Sequence, residues 1–190
     1  MAIRTMSAST GGGSKYSEGW HDATITKAEY GEWNNKKFLE VWFDGYGEYQ
    51  TMKVWETISS KDNQEFAMAR VFKYAQAGII SVLDDPTGKR PIIQFDDEAS
   101  GLVGKSVSIY LYPDPKNDKY NKISGECSPI PGAYEHMSFT EDVCNSIQAG
   151  ATKRLQSYLA KQANNVTVPV TVVESAVVAT VPIICAACCE

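Results

Sequence analysis

Between residues 36 and 55 the sequence places Trp42, Tyr49 and Trp55 close to Lys36, Lys37 and Lys53. Flat rings interleaved with ammonium groups suit one kind of chemistry: stacking nucleobases while neutralising the phosphates between them. A base stacked on an aromatic ring is worth about 1–3 kcal/mol, whatever the base, so such a surface is tolerant of sequence. The rings can do this only if the strands that carry them turn them outward. With period-two alternation, Leu39, Val41 and Phe43 share one face of a strand, and Phe38, Glu40 and Trp42 share the other. In the following apolar run Met52 and Val54 face one way, and Tyr49, Thr51, Lys53 and Trp55 the other. If the aliphatic sets build the core, Trp42, Tyr49, Lys53 and Trp55 lie on the opposite face. The competing reading is burial of both indoles, because large aromatic side chains are mostly well buried. A second basic and aromatic group, Tyr110 and Tyr112 followed by Lys116, Lys119, Tyr120 and Lys122, lies on a later strand and hairpin, where exposed charge is usually only solvated.

Other chemistries find less support. Ala99-Ser100-Gly101-Leu102-Val103-Gly104-Lys105-Ser106 fits a relaxed phosphate-loop pattern. That chemistry needs a helix after the loop to present its N-terminus, and here the apolar run Val107–Tyr112 reads as a strand. His21 and His136 fall in no metal or nucleophile motif, and the acids Asp84-Asp85 and Asp96-Asp97-Glu98 read as solvated loops. Cys185, Cys188 and Cys189 have a zinc-like spacing without a second matching pair, and Cys127, His136 and Cys144 do not complete one. The sequence is therefore expected to encode no catalytic centre, no metal site and no cofactor site.

The elements that must hold the rings follow from periodicity and turn residues. Ala23–Ala28, Phe38–Phe43 and Tyr49–Trp55 read as three strands of a meander, separated by turns at Gly31–Asn35 and Gly45-Tyr46-Gly47. A helix follows, capped by Ser60 or Asp62, with Glu65 in its first turn. Met68, Phe72, Ala75 and Ile79 form its apolar stripe, and Gly78 stops it. After the turn Asp85–Gly88 come the short run Pro91–Phe95, the strand Val107–Tyr112, and a return through Pro113–Asn121 into Lys122–Glu126. Ser138-Phe139-Thr140-Glu141 is a capping-box pattern opening a second helical stretch to about Gln162. The fold expected is mainly β: a five-stranded OB-like barrel with one helix between strands 3 and 4, a C-terminal helical segment and flexible tails. The domain plan is a flexible arm at 1–17, the barrel at 18–130, a helical extension at 131–164 and a flexible tail at 165–190.

A net charge of −5 argues against coating duplex DNA by charge alone, yet leaves open a single-strand binder that relies on rings. The Ser/Thr/Gly-rich start has no apolar signal region, and five cysteines, three of them in the last six residues, make a poor disulfide framework. A reduced, cytoplasmic protein is expected. The tail after Asn165 is apolar but carries Pro169, Glu174 and Pro182, which disfavours a membrane span.

Glu18-Gly19-Trp20-His21-Asp22-Ala23-Thr24-Ile25, the helix end Ala77-Gly78-Ile79, and Leu102-Val103-Gly104-Lys105-Ser106-Val107-Ser108-Ile109 before a closing hairpin together resemble small phage-encoded OB-fold proteins found beside recombination genes. The resemblance spans residues 18–130. It implies sequence-tolerant binding of single-stranded DNA during phage replication and recombination, in the host cytoplasm, with replication or recombination proteins as further partners. Many single-strand binders end in an acidic tail that recruits partners, whereas this chain ends Cys188-Cys189-Glu190. The alternative, from a different class, is a β-rich structural or adaptor protein of a virion or replication complex. In that case the rings form a protein interface and the chain assembles as a homo-oligomer.

Overall fold

A computed structural model describes residues 16–61, 63–83, 92–133 and 138–165. The expected arm up to Lys15, the cap candidate Asp62, the turn Asp85–Gly88, His136 and the tail from Val166 lie outside the described residues. Among the described residues the architecture is mainly β, with two α-helices. Strands β1 (Gly19–Trp33), β2 (Lys36–Phe43) and β3 (Met52–Trp55) form an antiparallel meander, and helix α1 (Ala67–Ala75) follows. A small hairpin, β4 (Ile79–Leu83) with β5 (Ile92–Phe95), and a 3-10 turn at Ala99–Leu102 lead into β6 (Ser106–Asp114) and β7 (Asn117–Ser128). Two short strands, β8 (Gly132–Ala133) and β9 (Ser138–Phe139), precede helix α2 (Glu141–Asn165).

The main sheet has the order β3-β2-β1-β6-β7, antiparallel throughout. Its centre is β1, which is far longer than the run Ala23–Ala28 suggests. The N-terminal half of β1 pairs with β6 and its C-terminal half with β2, and the register shifts between Ile25 and Lys27, where the pairing with β2 begins. Such an irregularity bends a strand and increases its twist, so one strand can serve both halves of a curled sheet. Among the described residues no backbone ladder joins β3 to β7, so the sheet is not closed. Its two edges nevertheless touch: a Cβ on Gly125 would lie 2.8 Å from the Lys53 carbonyl oxygen.

Turn chemistry sets the meander. The expected turn at Gly31–Asn35 narrows to Asn34-Asn35, both at positive φ (51° and 60°). A two-residue hairpin turn needs that conformation at both positions, and asparagine tolerates it better than most residues. Gly31 to Trp33 consequently extend β1. Likewise the return expected at Pro113–Asn121 shrinks to Pro115-Lys116, because Asp114 pairs with Asn117. Lys116 N–H donates to Asp114 Oδ1 (2.9 Å), which holds that carboxyl below the usual range, and Lys122 Nζ lies 3.0 Å from its other oxygen.

The core is the inward row of every strand. Ile25, Leu39, Val41, Met52, Val107, Ile109 and Leu111 are buried, and α1 adds Met68, Val71, Phe72 and Ala75. Phe72 stacks on Phe95 with centroids 5.5 Å apart, which ties the β4–β5 hairpin to the core. Burying each such aliphatic or aromatic side chain contributes about 1.5–3 kcal/mol.

Both ends of α1 depart from expectation. Neither Ser60 nor a side chain at Phe66 caps it. The Glu65 carboxylate accepts N–H bonds from Ala67 (2.7 Å), Met68 (3.0 Å) and Ala69 (3.0 Å), satisfying the orphan donors of the first turn. At the other end Gln76 adopts the left-handed conformation, so the helix stops earlier than Gly78 and Ile79 starts a strand. In α2 the capping residue is Thr140, whose Oγ1 accepts from Val143 N–H (3.4 Å), while Ser138 belongs to β9. No described helix is long and apolar enough to cross a membrane.

Gly78 has φ +63°, and a Cβ there would sit 2.2 Å from the Asp96 carbonyl oxygen, which belongs to the backbone. Gly78→Ala is expected to lower the unfolding free energy by about 2–4 kcal/mol, from left-handed strain plus a clash that no rotamer relieves. Urea titration followed by circular dichroism measures it, and an unchanged midpoint would contradict the geometry. A second outcome concerns pH. Burial pushes the Cys127 thiol up to about 12. A folded value above the unfolded one, roughly 8.5, means its stabilisation is complete below that pH and is lost as pH climbs toward 12. The urea midpoint should therefore fall between pH 9 and 11 more steeply for the native protein than for Cys127→Ala.

Candidate functional site

Pairing register decides which rings meet. On the outer face Trp33 lies opposite Lys36, Gly31 opposite Phe38, Glu29 opposite Glu40, and Lys27 opposite Trp42. On the other side of β2, Phe38 pairs with Trp55 and Glu40 with Lys53. Gly31 leaves room for a neighbouring ring: a Cβ there would lie 2.4 Å from Phe38 Cζ, so the phenyl group lies across the glycine. Trp55 meets Phe38 edge to face at 5.1 Å and Trp33 at 6.2 Å. Lys53 Nζ sits 4.3 Å from the Phe38 ring centre, within cation–π range. Trp33 is 64% exposed and Trp55 38% exposed, so both indoles present surface to solvent. The three rings and the ammonium group form one continuous patch at the hairpin end of the face.

The expected strip from Trp42 through Lys53 to Trp55 is interrupted. Glu40 stands between them, 3.3 Å from Lys53 Nζ and accepting a 2.7 Å bond from Thr51 Oγ1. Trp42 is half-buried, donates from Nε1 to the Glu48 carbonyl (3.1 Å) and has its own cation, Lys27, 4.5 Å above the ring. Lys27 is in turn 3.0 Å from Glu29. Tyr49 lies in the β2–β3 loop, 95% exposed and away from the patch by sequence position. Lys36 is on the ring-bearing face. Lys37 points to the other side, into a cavity of about 670 Å³ also lined by Glu32, Glu56, Glu65 and Asp97, where carboxylates outnumber it. Tyr30 closes that cavity, donating to the Asp97 carbonyl (2.8 Å), and burial pushes its phenol up to about 12.

Tyr110 and Tyr112 do turn away from the core, yet they are not open, because α2 lies against that part of the sheet. Trp20 Nε1 donates to Thr152 Oγ1 (3.2 Å), Gln148 Nε2 to Ser108 Oγ (3.4 Å), and Arg154 Nε to Glu126 Oε1 (2.8 Å). Tyr110 packs on Trp20 at 5.3 Å and donates to Glu18 (3.3 Å); burial first, then Glu18, raises its phenol above the usual range. Burial also raises Tyr112. Tyr120 is exposed on β7, and the side chain of Lys119 lies outside the described residues. Tyr120 makes no ring contact with the patch. In the glycine-rich segment 99–106 four amides already have backbone acceptors: Gly101 donates to Glu98, Val103 to Ser100, Gly104 to Ile25 and Lys105 to Leu102.

Trp33 and Phe38 were not among the expected site residues. Reading residues 31–35 as a turn removed Trp33 from the alternation, and only the paired asparagines mark where the strand ends. Among the described residues no group of three or more His, Cys, Asp or Glu side chains is arranged to hold a metal ion. The sequence matches no protein-family model, and no curated protein is significantly similar to it.

Variants retaining a single tryptophan, the others being Phe, check the exposure. Trp33 alone is expected to be quenched by iodide several times more strongly than Trp20 alone, which α2 shields. Equal quenching would mean that the ring patch is covered in solution.

Proposed function

We propose that the chain binds single-stranded DNA without strong sequence preference, using the outer face of β1, β2 and β3. The observation that carries this reading is the Trp33–Trp55–Phe38 patch, exposed to solvent with Lys53 on it and Lys36 beside it. Rings of this kind at the rim of a curled antiparallel sheet offer stacking surfaces, and the lysines offer charge to the linking phosphates. The strand order β3-β2-β1-β6-β7, with touching outer edges and a helix after β3, supports an OB-like barrel as the scaffold. The role is stoichiometric binding, with no catalytic step, as in the phage recombination-associated proteins the sequence resembles. It would be exercised in the host cytoplasm.

Titration with a short deoxyoligonucleotide should quench tryptophan fluorescence, with affinity falling as salt rises. Trp33→Ala and Trp55→Ala should each weaken binding by about 1–3 kcal/mol, roughly 5- to 150-fold, with the thermal melt nearly unchanged. Duplex of the same sequence should bind far more weakly, since its bases are stacked on one another. Unquenched fluorescence and unchanged affinity in both variants would overturn the assignment; a self-associating protein indifferent to DNA would instead support the adaptor reading.

A further inference from the structure

Beside the ring patch runs a second feature that the stacking surface does not use. A groove of about 650 Å³ lies between β3, α1, β7 and α2, and Lys53 and Trp55 line it as well as the patch. Its walls add Phe66, just before α1, Arg70 from α1, Tyr112 from β6, and Arg154 and Tyr158 from α2. Glu126 is the acidic side chain among its lining residues, and it serves two guanidinium groups at once. Arg154 Nε lies 2.8 Å and 3.1 Å from its two oxygens, and Arg154 Nη2 also contacts it; Arg70 Nη1 lies 3.6 Å away, beyond hydrogen-bond distance.

The donors exceed the acceptors. Each guanidinium carries five N–H donors and one positive charge, whereas Glu126 offers two oxygens and one negative charge. Arg70 holds the looser position and also lies 5.6 Å from the exposed Phe66 ring. In a chain of net charge −5 this is a local excess of cation, facing a groove of nucleotide size with rings on both walls. An Arg fork recognises a phosphate bidentately, and aromatic neighbours can take the attached base.

We propose that this groove is a second contact site for the same single-stranded nucleic acid. On this proposal a backbone phosphate is held by Arg70, with Arg154 behind it, as the strand leaves the Trp33–Trp55–Phe38 patch. The inference rests on the reading of that patch as a stacking surface. Trp55 and Lys53 make the path continuous, since both belong to patch and groove. Arg154 keeps its bond to Glu126 and with it the position of α2, while Arg70 turns to the phosphate. Glu126 is thus a competitor for the ligand as well as an anchor for the helix.

The competition makes the test one of sign. Oligonucleotide affinity is measured at several salt concentrations for the native chain, Arg70→Gln, Glu126→Gln and Trp33→Ala, each checked by thermal melting. Arg70→Gln should weaken binding about tenfold and reduce the salt dependence by close to one phosphate contact, a change of ~0.7 in the log–log slope. Glu126→Gln should bind severalfold tighter, because it releases both guanidinium groups. If these side chains only fasten α1 and α2 to β7, Glu126→Gln will bind no tighter and Arg70→Gln will leave the slope unchanged, which overturns the groove site. Trp33→Ala separates the two ideas, because Trp33 does not line the groove. Loss of binding in Trp33→Ala with no effect from Arg70 or Glu126 removes the groove and keeps the patch. No binding by the native chain removes both.

Discussion

The inward row of β2 commits everything around it. Leu39 and Val41 are completely buried and Phe43 nearly so, and they face Met52 and Val54 from β3. A slip of one residue would turn that row into solvent and draw Glu40 inward, at a cost of several kcal/mol in lost burial alone. The outer row has no such freedom to choose its company. Once Leu39 is inside, Phe38 must lie beside Gly31 and Trp55, and Lys53 must lie beside Glu40. The ring patch is in this sense a consequence of core packing, which fixes the register of the residues that carry it.

The outer face is divided in two by α2. On the half made by β6, β7 and the start of β1, the helix satisfies Trp20, Ser108 and Glu126, and it buries Cys144 and Ala151 on its underside. On the half made by β2, β3 and the end of β1 no described element lies over the rings. An exposed ion pair such as Arg154–Glu126 contributes little to stability by itself, typically under about 1 kcal/mol, so apolar contacts hold the helix and the polar ones set its register. That division explains why rings of similar chemistry have different standing. Trp20 and Tyr110 have partners on α2 or close to it, whereas Trp33 and Trp55 have mainly each other and Phe38.

Much of this was legible in the sequence where alternation is strict. The two faces of residues 38–43 and 52–55 could be assigned residue by residue, and the strand Val107–Tyr112 stands out by the same pattern. The bend of β1 was not legible, because Thr24, Thr26, Lys27 and Glu29 blur its alternation on either side of the register shift. Nor was the β4–β5 hairpin, because Ile79-Ile80 continues the apolar run of α1 and only the backbone at Gln76 and Gly78 interrupts it. Neither was the cover over Tyr110 and Tyr112. A helix 30 residues away in sequence shields them, through hydrogen bonds whose partners carry no local signal. Arg70 and Arg154 escaped for the same reason: on separate helices they are ordinary surface arginines, and only the fold brings both to Glu126.

Charge placement would reconcile an acidic chain with the anionic ligand proposed for it. The lysines of the outer face are mostly neutralised in place, Lys27 by Glu29 and Lys53 by Glu40, so the face has little long-range field. Such a surface would gain little from duplex DNA, whose affinity for proteins comes largely from phosphate neutralisation and whose bases are already stacked. An unpaired strand differs because its bases still have a ring face to bury, and stacking draws on that without demanding net positive charge. On the proposed function, weak electrostatics combined with exposed indoles would discriminate by strandedness: low charge would weaken both forms alike, and stacking would be open only to the single strand.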